Sequence, residues 1–90
     1  MKEKENKYSE GFLTIAHLGC TSNRNELESS RLCACFHCLE TFIHKEISEW
    51  INDKDGETAI CPRCGIDSVL SSRLPIDDKA FLSAMNRMWF

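Results

Sequence analysis

Apolar and polar positions divide the chain into short periodic pieces separated by turn residues. Between Gly11 and Gly19, Leu13, Ile15 and His17 alternate with Phe12, Thr14, Ala16 and Leu18, and this period of two predicts a short strand. Thr21-Ser22-Asn23 offers side-chain oxygens to a helix start, and Asn23 with Glu26 three residues on has the form of a capping box. A polar surface helix over Arg24 to Leu32 follows, with Leu27 on its covered side. Phe42, Ile43, Ile47, Trp50 and Ile51 fit helical spacing and, in part, period two. They predict a short strand near Thr41 to His44, then a helical turn or second strand near Ile47 to Ile51. Asn52-Asp53-Lys54-Asp55-Gly56 is a turn, and Glu57 to Ile60 reads as a strand. Ile66 to Leu70 is a short apolar stretch, and Leu74-Pro75 marks a break. Asp77 or Asp78 can cap a final helix, favoured there by the helix dipole. In it Phe81, Ala84, Met85, Met88 and Trp89 make an apolar stripe, read as core that covers the layer bearing the paired cysteines.

Composition narrows this to one small domain. The chain has 90 residues, 42% of them hydrophobic, so its core is thin and a staple is expected. Residues 1–10 carry alternating lysine and glutamate with little that is apolar before Tyr8, and are predicted to be a flexible charged tail on a single domain over 11–90. No apolar run is long enough to span a membrane. The opening Met1-Lys2-Glu3-Lys4-Glu5-Asn6-Lys7 is not a basic segment followed by an apolar one, which predicts a cytoplasmic protein. In that compartment cysteines are thiols or metal ligands by default.

There are 6 cysteines, and four form close pairs, Cys35-Phe36-His37-Cys38 and Cys61-Pro62-Arg63-Cys64-Gly65. Two residues between cysteines let the backbone fold into a knuckle that aims both sulfurs at one point. Two knuckles together supply four thiolates at tetrahedral corners, the arrangement of a closed structural Zn²⁺ site. Gly65 suits the backbone turn just past the second sulfur, and Pro62 fixes φ inside it. Cys35, Cys38, Cys61 and Cys64 are therefore the predicted ligands of one zinc. A CPRC redox dithiol or an iron–sulfur site are the competing readings; a redox pair leaves the other CxxC unexplained. Cys33 shares a strand face with Cys35 and reads as a buried thiol beside the site. A second site from His17, Cys20 and His37 or His44 would need ligands gathered from distant parts of the chain.

The strings His17-Leu18-Gly19, Cys33-Ala34-Cys35-Phe36-His37-Cys38, Glu46-Ile47-Ser48-Glu49-Trp50, Thr58 to Val69 and the ending Met88-Trp89-Phe90 resemble a group of short bacterial cytoplasmic zinc-ribbon-like proteins with no assigned activity. Their shared features are a TAxCPxCGIDSV motif and a terminal WF. The resemblance covers most of the chain beyond the first ten residues. It implies a zinc-stapled small α+β domain of zinc-ribbon or treble-clef type, with a short β-hairpin and a C-terminal amphipathic helix.

Four thiolates close a zinc site and leave no position for an activated water, so no enzyme is expected. Nucleic-acid binding, as a zinc-ribbon protein or transcriptional regulator, is less favoured. The formal net charge is −3, residues 41–64 are the most acidic part, and Arg63, Arg73, Lys79 and Arg87 are scattered. A protein-interaction module, such as an adapter, inhibitor or regulatory subunit, is the favoured role, with a thiol-redox protein as a further alternative. Trp50, Met85, Met88, Trp89 and Phe90 are more large apolar side chains than so small a core encloses, and such residues concentrate at interface centres. An acidic surface favours a basic partner. The chain is expected to be a monomer or small homo-oligomer, with the Trp89-Phe90 end either core or interface.

Overall fold

A computed structural model describes residues 7–90. From the N-terminus, α1 (Glu10–His17) runs into a 3-10 turn at Leu18–Cys20 and is followed by α2 (Arg24–Glu28), β1 (Cys33–Cys35) and β2 (Thr41–Phe42). A second 3-10 turn at His44–Glu46 precedes β3 (Trp50–Asp53), β4 (Gly56–Ala59), β5 (Val69–Ser71) and α3 (Lys79–Trp89). The sheets are antiparallel: three strands in the order β2-β1-β5, and a separate β3-β4 hairpin.

The segment expected to be a strand, Gly11 to Gly19, is helical. Ser9 Oγ accepts from the Phe12 N–H at 3.1 Å and caps α1. The period of two arises because α1 is apolar on both sides: Leu13 and Ala16 are buried, while Phe12 and Ile15 face outward, as does Leu18 just beyond the helix. α2 is also shorter than expected and stops at Glu28. Ser29 and Ser30 end it, their hydroxyls donating to the Asn25 and Leu32 carbonyls, the local competition that makes serine a poor helix-interior residue.

The capping box at Asn23 does not form, because its side chain is committed elsewhere. Buried Asn23 donates from Nδ2 to the Gly19 and Val69 carbonyls at 3.0 and 2.9 Å, and Oδ1 accepts from Ala59 N–H at 3.2 Å. One amide thus ties the start of α2 to β5 and β4. Glu26 turns instead to Ser71 Oγ and to Arg73, the latter at 3.0 Å.

The three-stranded sheet separates two apolar layers. Ala34 and Leu70 project to one side, into a cluster with Leu13, Ala16, Phe81 and Met85 from α1 and α3. Cys33, Cys35 and Val69 project to the other, with Leu27, Phe42, Ile47, Ala59 and Cys61. This is the alternation of a pleated strand, and it puts the cysteine pairs in the second layer. α3 was expected to cover that layer. It lies on the opposite face of the sheet, because Phe81 and Met85 pack with α1. Asp78 caps α3, accepting from Ala80 N–H at 2.9 Å.

Of the tail expected over residues 1–10, residues 1–6 lie outside the described part, whereas residues 7–10 are held. Lys7 Nζ and the Tyr8 hydroxyl donate to Asp78 Oδ2 at 3.0 and 2.6 Å. The Tyr8 ring packs on Phe12 and Phe81, with centroids 5.6 and 5.4 Å away. No helix among the described residues is long and apolar enough to cross a membrane.

Candidate metal centre

The first knuckle is the turn between β1 and β2, and the second lies between β4 and β5. Pairing of β1 with β5, with Cys35 opposite Val69, draws them together. The two loops have the same backbone pattern. His37 N–H donates to Cys35 Sγ and Arg63 N–H to Cys61 Sγ, both at 3.3 Å. Leu39 N–H bonds the Cys35 carbonyl at 2.8 Å, and Gly65 N–H the Cys61 carbonyl at 3.0 Å. Cys35 N–H reaches the Glu40 carbonyl at 3.0 Å, as Cys61 N–H reaches that of Ile66 at 2.9 Å. The loops thus share one hydrogen-bond pattern, and their sulfurs converge.

Ligand atoms of Cys35, Cys38, Cys61 and Cys64 all lie within 4.8 Å of one another. Two separations between knuckles, Cys35 Sγ to Cys64 Sγ and Cys38 Sγ to Cys61 Sγ, are each 3.7 Å. A tetrahedral ion with metal–sulfur bonds of about 2.3 Å requires sulfurs about 3.8 Å apart. The four cysteines fit that requirement and could hold a metal ion such as zinc.

The electrostatics also call for a cation. Burial pushes the Cys35 thiol up, but the Ser68 hydroxyl 3.1 Å from its sulfur, with the Cys38 and His37 backbone N–H groups, outweighs burial and holds it below the ordinary thiol range. Burial drives Cys38 and Cys64 upward, and the charge of Cys35 adds to it. Four bare thiolates this close repel strongly, so a bound dication must displace protons from them.

Other candidate ligands from the sequence are dispersed. Among the described residues, the four cysteines are the one cluster of three or more such side chains within reach of a common ion. Cys20 sits in the helical layer, where burial, then the charge of Asp67, pushes its thiol up to about 11. His17 packs against the Trp89 ring at 3.9 Å between centroids, and His37 meets the Phe90 ring edge-on at 4.6 Å. His44 begins the 3-10 turn before β3. Cys33 lies on the Cys35 face of β1, as expected, and burial pushes its thiol up to about 11.

Three residues that frame the site carry no ligand-like signal in the sequence. Ser68 is buried and hydrogen-bonded to Cys35. Asn86 of α3 donates from Nδ2 to the carbonyls of Phe36 and His37, at 3.1 and 3.0 Å, clamping the first knuckle from the helical side. Phe36, inside that knuckle, is buried in the helical layer.

Fold and site together define a small α+β protein with antiparallel sheets, a C-terminal helix and a four-cysteine cluster suited to a metal ion. Comparison with family models, curated proteins and solved structures gives no match.

Proposed function

We propose that Cys35, Cys38, Cys61 and Cys64 hold one Zn²⁺ as a closed structural site of zinc-ribbon or treble-clef type, and that the protein is a cytoplasmic protein-interaction module rather than an enzyme. Four sulfur ligands satisfy zinc and leave no open position for water or substrate.

The interaction role is carried by one observation, the outward face of α1. An apolar helix face is ordinarily covered by the rest of the protein. Here Ile15 and Leu18 are 68% and 71% exposed. With Phe12 and Leu74 they line a groove of about 310 Å³, with the Glu26–Arg73 ion pair at its rim. Met88, Trp89 and Phe90 add apolar surface at the end of α3. Met85 drops out of the proposed interface, being fully buried, and Trp50 is half-covered, its ring under the Arg24 guanidinium at 4.5 Å.

Charge supports a protein partner over nucleic acid. Lys7, Arg24, Arg31, Arg63 and Arg73 are each paired with a carboxylate, which removes much of the free positive charge a phosphate backbone would need. The net charge of −3 favours a basic partner.

Affinity capture from the host with wild type, Ile15→Asp and Leu18→Asp tests this, with zinc content and melting temperature measured in parallel. Loss of the same partner from both variants, with fold and metal intact, is the expected result. Identical partners for all three proteins would remove α1 as the interface. Clear binding of DNA or RNA at low salt would move the function to nucleic acid.

A further inference from the structure

The four sulfurs are not equivalent. Cys35 and Cys61 are 0% and 2% exposed, whereas Cys38 and Cys64 are half-buried and reach the surface. Each 3.7 Å pair between knuckles therefore joins one solvent-reached sulfur to one shielded sulfur: Cys38 to Cys61, and Cys64 to Cys35. The shielded members differ as well. Cys35 receives both the Ser68 hydroxyl at 3.1 Å and the His37 N–H at 3.3 Å, while the side-chain sulfur of Cys61 takes the Arg63 N–H at 3.3 Å. Hydrogen bonds to a thiolate draw off electron density and hold the sulfur in place, so Cys35 is the less free of the two to attack a neighbour.

Resting on the closed-zinc reading, we propose that Cys38 and Cys61 form an oxidation site at which hydrogen peroxide releases the metal, Cys38 being the sulfur oxidised first and Cys61 the sulfur that resolves it.

The chemistry balances with the peroxide as sole oxidant. A lone pair on Cys38 Sγ attacks one peroxide oxygen; an S–O bond forms, the O–O bond breaks, and hydroxide leaves and takes up a proton as water. The Cys61 thiolate then attacks the sulfenic sulfur across the short gap. An S–S bond forms, the S–O bond breaks, and a second hydroxide leaves and is protonated to water. Each sulfur gives up one electron and the peroxide gains two. The ion loses two of its four ligands. Phe36 and the Asn86 clamp lie in the same knuckle as Cys38, so loosening of this loop reaches the helical layer directly.

The test uses the reduced, metal-loaded full chain, its zinc content measured first. Hydrogen peroxide is then added with a chromogenic zinc chelator, and disulfides are mapped by mass spectrometry at successive times. A Cys38–Cys61 disulfide formed first, in step with loss of one zinc per chain, is the expected result. Ser68→Ala, which keeps all four ligands, should raise the share of Cys35–Cys64 disulfide. A first product at Cys35–Cys64, within one CxxC, or at Cys20 or Cys33 would overturn the proposal while leaving the zinc site standing. So would zinc retained through oxidation, or a product ratio unmoved in Ser68→Ala. Less than one zinc per chain before oxidant would overturn the closed-site reading itself.

Discussion

Leu39 and Gly65 occupy the same left-handed position, one residue past the second cysteine of each knuckle, with φ of 66° and 81°. The conformation is required at both because the N–H of each closes its loop onto the carbonyl of the first cysteine. Gly65 adopts it freely; Leu39 adopts it against a cost of about 1–2 kcal/mol. No atom lies within 4 Å of a Cβ added at Gly65, so Gly65→Ala pays for backbone conformation alone. It is expected to lose about 1 kcal/mol, or roughly 4–8 °C in melting temperature. Leu39→Gly relieves strain of about the same size, opposed by about 0.4–1 kcal/mol of added unfolded-state entropy. Its melting point should move little, unlike a buried leucine deletion at about 2–5 kcal/mol. Thermal melts of the two variants check this.

Asn23 is a different kind of linchpin. Removing its amide strands the Ala59 N–H and the Val69 carbonyl inside the protein. An unmade buried hydrogen bond costs about 1–3 kcal/mol. Asn23→Ala is therefore expected to destabilise by at least about 2 kcal/mol. Asn23→Asp should also destabilise, since Oδ2 cannot donate to the Gly19 and Val69 carbonyls. Urea unfolding of both variants is the measurement; stability unchanged in either would mean the amide is replaceable.

Acid sensitivity should centre on Asp78. The Tyr8 hydroxyl, then Lys7 and the Ala80 N–H, hold its carboxyl down to about 2. A depressed native value means the carboxylate stabilises the fold fully above the unfolded value of about 3.9, and that this is lost as pH falls through about 2. Asp78→Asn should thus be less stable than wild type at pH 6, with the gap closing between about pH 4 and pH 2. Parallel melts across that range check the sign; a gap that widens in acid would refute it.

Chelation should act on one layer before the other. A metal bound by the four cysteines would close the long excursion between the knuckles, which carries the two-residue β2, a 3-10 turn, the small β3-β4 hairpin and a thin cluster around Phe42, Ile47 and Ala59. The helical layer keeps its own packing of Leu13, Phe81 and Met85. On metal removal, hydrogen exchange is expected to rise first in residues 35–66 and later in α1 and α3. Uniform loss of protection would show that the layers do not separate.

What could be read from the chain follows from how local each signal is. The two CxxC pairs, the turn before Gly56 and the Asp78 cap are encoded by neighbours a few residues apart, and the structure places them where the residues suggested. α1 departs from the expected strand because Leu13 and Ile15 alternate like a strand while Leu13 and Ala16 are the residues it buries; apolar residues on the outer face erase the helical period. Asn23 and Asn86 act over 46 and 50 residues of separation, which no window along the chain can register. Ser68 is similarly silent, since its partner Cys35 is 33 residues away.

Zinc K-edge X-ray absorption on the purified, reduced protein tests the central claim most directly. A single shell of four sulfurs at about 2.3 Å is the result expected if Cys35, Cys38, Cys61 and Cys64 close the site. A shell containing nitrogen or oxygen would contradict it, because it would bring in a histidine or water and open the site to chemistry.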